Sequence, residues 1–300
     1  MEDYLKFLEP RTLARLKGLQ LRARRIVEGY VAGLHRSPYR GFSIEFAEHR
    51  EYAPGDDLRY LDWKVFGRTD KFYLKQFEDE TNLIGYLVLD VSQSMRYQGP
   101  RAPWSKFEYA QCLAASLAWL ILRQQDAVGL VTFDDRIRTH LPPSSNATQL
   151  KQLLQILESA TLAPKTATGP IFHELAEKWK KRGVVIILSD LLDHVPSLVA
   201  GLQHFRHRQH DVIILHVLDG AELDFPFAQP TLFRGLERPL NVVADPRVMR
   251  QGYLAEVSEF LRAVRQACRE REMDYRLLRT DQPLDAGLAA FLSRRMARVK

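Results

Sequence analysis

The chain has 300 residues, of which 46% are hydrophobic and 27% charged, an ordinary balance for a globular protein able to bury one large core or two smaller ones. Its formal charge of +6 is concentrated in residues 1–40, where nine Lys/Arg face four acids, so the remaining 260 residues are almost neutral and an evenly basic nucleic-acid domain is excluded. The longest apolar run, Cys112 to Leu122, falls short of the roughly 20 residues that a membrane span needs, so no transmembrane segment is expected.

Leu13, Leu16, Leu19, Ile26, Val27 and Tyr30 recur at helical spacing and predict an amphipathic helix over Arg11 to Gly33. From Gly41 to Thr81 the texture changes to short strand-like pieces, Phe42 to Phe46 and Lys71 to Phe77, around the turn chemistry of Pro54-Gly55-Asp56-Asp57. Residues 1–81 are therefore expected to form a small α+β lead-in, and residues 82–300 the main domain.

Leu83 to Leu89 is a nearly continuous apolar run, as expected of a strand buried on both faces of a parallel sheet. Ser105-Lys106-Phe107-Glu108 is a capping box opening a helix to about Gln124. Two strands, Ala127 to Phe133 and Ile137 to Leu141, form a hairpin around Asp134-Asp135, and Asn146 is expected to cap a helix over Ala147 to Glu158. There follow a helix over Pro170 to Lys181, a strand Val184 to Leu188, a helix around Val195 to Phe205 and a strand Val212 to Val217. His204, His207 and His210 are taken as a basic helix terminus favoured by the macrodipole. After an irregular excursion containing Phe225, Phe227 and Phe233, the expected elements are a strand Leu240 to Ala244, a helix Pro246 to Glu270, a strand Tyr275 to Leu278 and a helix Leu284 to Met296. Alternating strands and helices predict an α/β fold: a Rossmann-like, doubly wound, mostly parallel sheet with helices on both faces.

In such sheets, ligands bind outside the carboxyl ends of the strands. Three polar segments fall there: Asp90-Val91-Ser92-Gln93-Ser94, the loop Lys165-Thr166-Ala167-Thr168-Gly169, and Ser189-Asp190. Two carboxylates and three hydroxyls on one edge make an oxygen donor set suited to a hard divalent cation, Mg²⁺ first, with Mn²⁺ or Ca²⁺ as alternatives. The metal-site residues are Asp90, Ser92, Ser94, Thr166 and Asp190: the hydroxyls ligate directly, and the carboxylates ligate or hold metal-bound water.

Asp-x-Ser-x-Ser after a buried strand, then a threonine loop and a Ser-Asp, resembles the metal-ion-dependent adhesion site of von Willebrand factor A-like domains. The segment Tyr52-Ala53-Pro54-Gly55-Asp56-Asp57-Leu58-Arg59-Tyr60-Leu61-Asp62-Trp63-Lys64, with Arg68-Thr69-Asp70, resembles more narrowly the bacterial domain-of-unknown-function family 58. The resemblance implies a metal whose open position accepts a protein partner's carboxylate, and association with a MoxR-type AAA+ ATPase. One departure stands out: the threonine loop of related domains has Asp or Asn after the Thr, whereas this chain has Thr166-Ala167-Thr168. Either threonine fits the role, and Thr166 is preferred because it lies farther from the expected helix start.

The expected function is a non-enzymatic, metal-dependent protein–protein interaction module; the alternative is a metal-dependent hydrolase or phosphatase using the Asp90 edge. No Gly-x-Ser-x-Gly elbow and no phosphate-binding Gly-x-x-x-x-Gly-Lys-Ser/Thr loop occurs in the sequence. The basic segment of residues 1–40 is a solvated helix face or a docking surface, without the interleaved aromatics of a nucleic-acid binder. Cys112 and Cys268 match no metal or redox spacing, and no signal peptide follows the acidic start Glu2-Asp3, so a reducing, cytoplasmic location is expected.

Overall fold

The computed structural model describes residues 18–35, 49–51, 73–75, 83–163, 168–237, 240–284 and 287–289. The chain divides into two units, one comprising residues 1–36 and 83–300, the other 37–82. In the smaller unit the described elements are β1 (His49–Glu51) and β2 (Tyr73–Lys75), which pair antiparallel. The strand expected at Phe42 to Phe46 and the Pro54 to Lys64 segment lie outside the described residues.

The larger unit is built on a six-stranded sheet of β3 (Ile84–Asp90), β4 (Ala127–Phe133), β5 (Ile137–Ser144), β6 (Val184–Ser189), β7 (Asp211–Leu218) and β10 (Asp274–Arg279). Their order across the sheet is β10-β7-β6-β3-β4-β5, and every neighbouring pair is parallel except β4 with β5. The helices between them are α1 (Leu19–His35), α2 (Lys106–Arg123), α3 (Gln149–Ser159), α4 (Thr168–Lys178), α5 (Val195–His207), α6 (Gly220–Asp224) and α7 (Pro246–Glu270). This is the doubly wound α/β architecture that the alternating pattern predicts.

The unbroken apolar runs of the central strands follow from burial on both faces. Leu87 and Leu89 of β3, Ile186 and Leu188 of β6, and Ile213 and Leu215 of β7 enter one core with α1, α2 and α3. The alternate residues Val88, Val185, Ile187 and Ile214 enter a second core with α4, α5 and α7. Period-two alternation sends neighbours to opposite faces, so a strand covered on both sides must be apolar throughout. At roughly 25 cal/mol per Å² of apolar surface removed from water, these two cores dominate the stabilisation.

Helix α1 buries Leu19, Ala23, Ile26 and Val27 in the first core, spaced to share one helical face. It is therefore grouped with the sheet, not with the short strands that follow it. Helix α3 begins at Gln149, later than the Asn146 cap predicts, and Thr148 at its N-cap makes no side-chain cap. Asn146 instead offers its carbonyl to the Gln149 N–H at 2.9 Å, closing a turn before the helix. Helix α4 begins at Thr168, earlier than Pro170, and packs closely on α5: a Cβ at Gly201 would lie 2.6 Å from the Gly169 carbonyl oxygen. Among its described residues the excursion after β7 contains α6 and an antiparallel pair, β8 (Thr231–Arg234) with β9 (Asn241–Ala244), separate from the main sheet. Its Phe225, Phe227 and Phe233 pack together, with ring centroids 5.2 to 5.7 Å apart. Of the closing helix, residues 287–289 are helical, and those from 290 lie outside the described residues.

His210 departs from the helix-terminus reading. It lies beyond α5, fully buried at the amino end of the sheet among Tyr86, Trp179 and Phe205, with ring centroids 5.7 to 6.2 Å away. Burial holds its pKa below the ordinary histidine value, against the opposing pull of the Trp179 and Gly183 backbone. The unfolded chain takes up the proton near pH 6.5 and the folded chain only at lower pH. This histidine's contribution to stability is therefore complete above about pH 6.5 and is lost progressively below it. Urea denaturation at pH 7.5 and 5.5 should show a smaller acid-side loss of stability in His210→Phe than in the wild type.

Candidate metal centre

The strand order places β3 beside β6, and the two run parallel with Leu89 opposite Leu188. After β3 the chain has run outward to β4 and β5; it then returns to β6 on the other side, so the crevice at their carboxyl ends is the switch point of the sheet. Asp90 ends β3 and Ser189 ends β6, with Asp190 directly after. All three are fully buried.

Both oxygens of Asp90 are engaged. Oδ1 accepts from the Ser92 backbone N–H at 2.8 Å, and Oδ2 accepts from the Ser189 hydroxyl at 2.5 Å. Residues 93–96 form a short 3-10 helix that brings Ser94 back beside Ser92, their hydroxyl oxygens 2.9 Å apart. Ser94 lies near enough to Asp190 to help lower that carboxyl's pKa. Ser189 Oγ in turn accepts the Leu191 N–H at 2.9 Å, holding the β6 loop in a tight turn. Leu191 has φ of 53°, a left-handed conformation that ordinarily costs a non-glycine residue of order 1–3 kcal/mol, so the backbone directly after Asp190 is strained.

Asp190 is held from the opposite side by Lys106, the first residue of α2. Lys106 Nζ donates to Asp190 Oδ2 at 2.8 Å and to Glu222 Oε1 of α6 at 2.7 Å, and the lysine has no exposed surface. Asp190 Oδ1 accepts from the Leu192 N–H at 3.2 Å. His216 of β7 fixes the Asp190 carbonyl through Nε2 at 2.8 Å, and its Nδ1 meets the Tyr275 hydroxyl at 2.8 Å. A carbonyl can only accept, so Nε2 carries the proton and Nδ1 accepts from the tyrosine. Burial pushes the His216 pKa down to about 4, which keeps that neutral tautomer.

The electrostatics of the two carboxylates diverge. Burial, and then the charge of Asp190, push the Asp90 pKa up to about 7, against hydrogen bonds from Ser189 and Ser92. Burial acts on Asp190 in the same direction, but Lys106 outweighs it and leaves its pKa below the ordinary aspartate value. No cationic side chain among the described residues pairs with Asp90.

Of the expected ligands, the structure brings together Asp90, Ser92, Ser94 and Asp190. Thr166 lies outside the described residues, as do residues 164–167 generally. The chain enters that segment from beside the site: Ala163 N–H donates to the Val91 carbonyl at 2.9 Å, and Ala163 bridges in parallel to Ser92. Thr168 begins α4, buried, with its N–H and hydroxyl both donating to Asp193 Oδ2 at 2.8 and 2.7 Å.

Lys106, Glu222 and His216 were not among the expected site residues. Lys106 carries a signal in retrospect: a cation at the first position of a helix opposes the macrodipole and calls for a nearby anion. Glu222 and His216 carry none, because their roles depend on which strands become neighbours.

Among the described residues no cluster of three or more His, Cys, Asp or Glu side chains is placed to hold a metal. The donor set here is of another kind, hydroxyls with two carboxylates. An all-oxygen set of this composition fits a hard cation that retains water.

The family described as "Protein of unknown function DUF58" matches residues 48–260. The chain belongs to this family. Two relatives, the uncharacterized proteins Rv1480 of Mycobacterium tuberculosis and Mb1516 of Mycobacterium bovis, are each 26% identical over 221 residues, covering 73% of this DUF58 chain and 68% of their own. Among solved structures, an aerotolerance-related membrane protein from Bacteroides fragilis aligns with a TM-score of 0.50 at 20% identity, over 71% of this chain and 99% of that one. The mostly parallel sheet of this DUF58 protein, with helices on both faces, is the doubly wound α/β fold that its alternating strands and helices imply. No helix among its described residues is long and apolar enough to cross a membrane.

Ser189 is the residue on which both loops meet, since its hydroxyl donates to Asp90 and accepts from Leu191. Ser189→Ala removes both bonds and leaves a buried N–H and a buried carboxylate oxygen short of partners. Its unfolding free energy should fall by about 1–3 kcal/mol in urea titrations at neutral pH.

Proposed function

We propose that this DUF58 protein is a non-enzymatic interaction module in which Asp90, Ser92, Ser94 and Asp190, with Thr166, hold a divalent cation, Mg²⁺ foremost. The observation that carries this reading is the convergence of the two loops at the switch point, with Asp90 fully buried and lacking a cationic side chain among the described residues. A hard cation supplies the missing charge, and its open position takes a carboxylate from a protein partner. The hydroxyls of Ser92 and Ser94 are the direct ligands; the carboxylates orient water and tune the charge.

The partner that the family resemblance implies is a MoxR-type AAA+ ATPase, for which the protein would serve as an adaptor. A cytoplasmic location belongs to the same reading, and the two free thiols, Cys112 and Cys268, both buried, suit a reducing compartment. Binding is favoured over hydrolysis because the positions two and four residues after Asp90, where a second acid would act on a phosphoryl group, are Ser92 and Ser94.

Isothermal titration should show Mg²⁺ or Mn²⁺ binding to the wild type and none to a folded Asp90→Ala. Retention of a MoxR-type ATPase on the immobilised protein should be lost with the same substitution and on adding a chelator. Equal retention under all three conditions would contradict the metal-bridged partner.

A further inference from the structure

Helices α4 and α5 meet at three successive levels. At the first, a Cβ on Gly201 would lie 2.6 Å from the Gly169 carbonyl oxygen, so the glycine is what lets the two backbones approach this closely. One turn on, His173 of α4 meets His204 of α5, their ring centroids 4.1 Å apart with 64° between the ring planes. A further turn on, Glu177 of α4 accepts a hydrogen bond at 2.6 Å from Arg208, the residue that caps the end of α5. Gly169, His173 and Glu177 follow one another by four residues, and Gly201, His204 and Arg208 by three and four, so each set lies along a single helical face. His173 is exposed and His204 half-buried, which leaves the pair open to solvent.

Partial burial, and then the charges of His173 and His207, hold the His204 pKa below the ordinary histidine value, so at neutral pH its ring keeps a nitrogen lone pair. A neutral imidazole is the common ligand of borderline cations such as Zn²⁺, at about 2.0–2.1 Å from the metal. Two rings already in contact, on backbones held together at Gly169 and Gly201, need only side-chain rotation to turn one nitrogen each onto a shared ion. A pair of donors alone makes a weak site. Glu177 stands one turn from His173 on the same face, and it is released by breaking its pair with Arg208, in which both side chains are about half exposed. Exposed pairs of this kind contribute little and exchange readily. His207 is engaged along its own helix, with Nε2 3.3 Å from Gln203 Nε2.

We propose that His173 and His204, with Glu177 rotating in as third ligand, form a second cation site, for a borderline transition-metal ion of the Zn²⁺ class, that ties α4 to α5. Its nitrogen donors set it apart from the oxygen-lined crevice, and it does not depend on the reading given for that crevice. The helices it joins start from segments that already meet, since the Thr168 N–H and hydroxyl at the start of α4 both donate to Asp193 shortly before α5. The ion braces the same pair of helices farther along their length.

Titration calorimetry of tag-free protein with Zn²⁺, in excess Mg²⁺ to occupy the oxygen edge, tests the assignment, with circular dichroism confirming the fold of each variant. The wild type should bind Zn²⁺, and His173→Gln and His204→Gln should each weaken it by at least about tenfold. Asp90→Ala should bind Zn²⁺ as the wild type does. Arg208→Ala keeps all three ligands while freeing Glu177 and removing a positive charge, and should tighten Zn²⁺ by about threefold or more. A merely structural contact between the helices would not give tighter metal binding on loss of an ion pair. Should a histidine variant fail to fold, Arg208→Ala decides alone. The assignment is overturned by a wild type that binds no Zn²⁺, by binding that both histidine variants retain in full, by Zn²⁺ binding that Asp90→Ala abolishes, or by an Arg208→Ala that binds no more tightly than the wild type.

Discussion

Two carboxylates, Asp90 and Asp190, stand at the ends of neighbouring parallel strands with no exposed surface, and the carboxyl edge of the sheet is arranged around that juxtaposition. Like charges at close range in a dry site cannot both ionise without compensation. The chain compensates them differently. Asp190 receives an ammonium and a backbone N–H, and its pKa stays below the ordinary aspartate value. Asp90 receives only neutral donors, and its pKa rises to about 7. The asymmetry defines the site, since one acid is already paired and the other has no cationic partner among the described residues.

The fold supplies this geometry economically. Parallel strands deliver both acids to the same edge, and the switch in strand order opens a crevice between their loops. The two apolar cores hold β3 and β6 rigidly from both faces, so the loops after them inherit fixed starting points. Ser189, the strained Leu191 and the 3-10 turn at residues 93–96 then set side-chain positions within hydrogen-bonding distance. Behind this layer, Lys106, Glu222 and Asp219 tie the site to α2 and α6, and His216 ties it to β7 and β10.

The parts of this arrangement that were legible in the sequence are those encoded locally. The apolar runs of β3, β6 and β7 follow from two-sided burial, the Ser105–Glu108 capping box marks the start of α2, and Asp-x-Ser-x-Ser and Ser-Asp sit next to their strands. What was missed depends on contacts between distant segments. Helix α1 looks like part of a lead-in until its apolar face meets α2, and His210 looks like a helix terminus until the chain turns it under Trp179. The proline- and phenylalanine-rich excursion has no strong period, because β8 and β9 are four residues each and pair only with one another. Lys106 was visible as a helix-start residue, but its partners lie 84 and 116 residues away in sequence.

Anomalous diffraction from crystals grown with Mn²⁺ tests the central claim most directly. The account predicts a manganese peak at the carboxyl edge of the sheet, within ligand distance of the Ser92 and Ser94 hydroxyls and adjacent to Asp90, and absent from Asp90→Ala crystals grown alike. A wild-type map with no peak at that edge, or with manganese bound elsewhere and the edge filled only by its own hydrogen bonds, would contradict it.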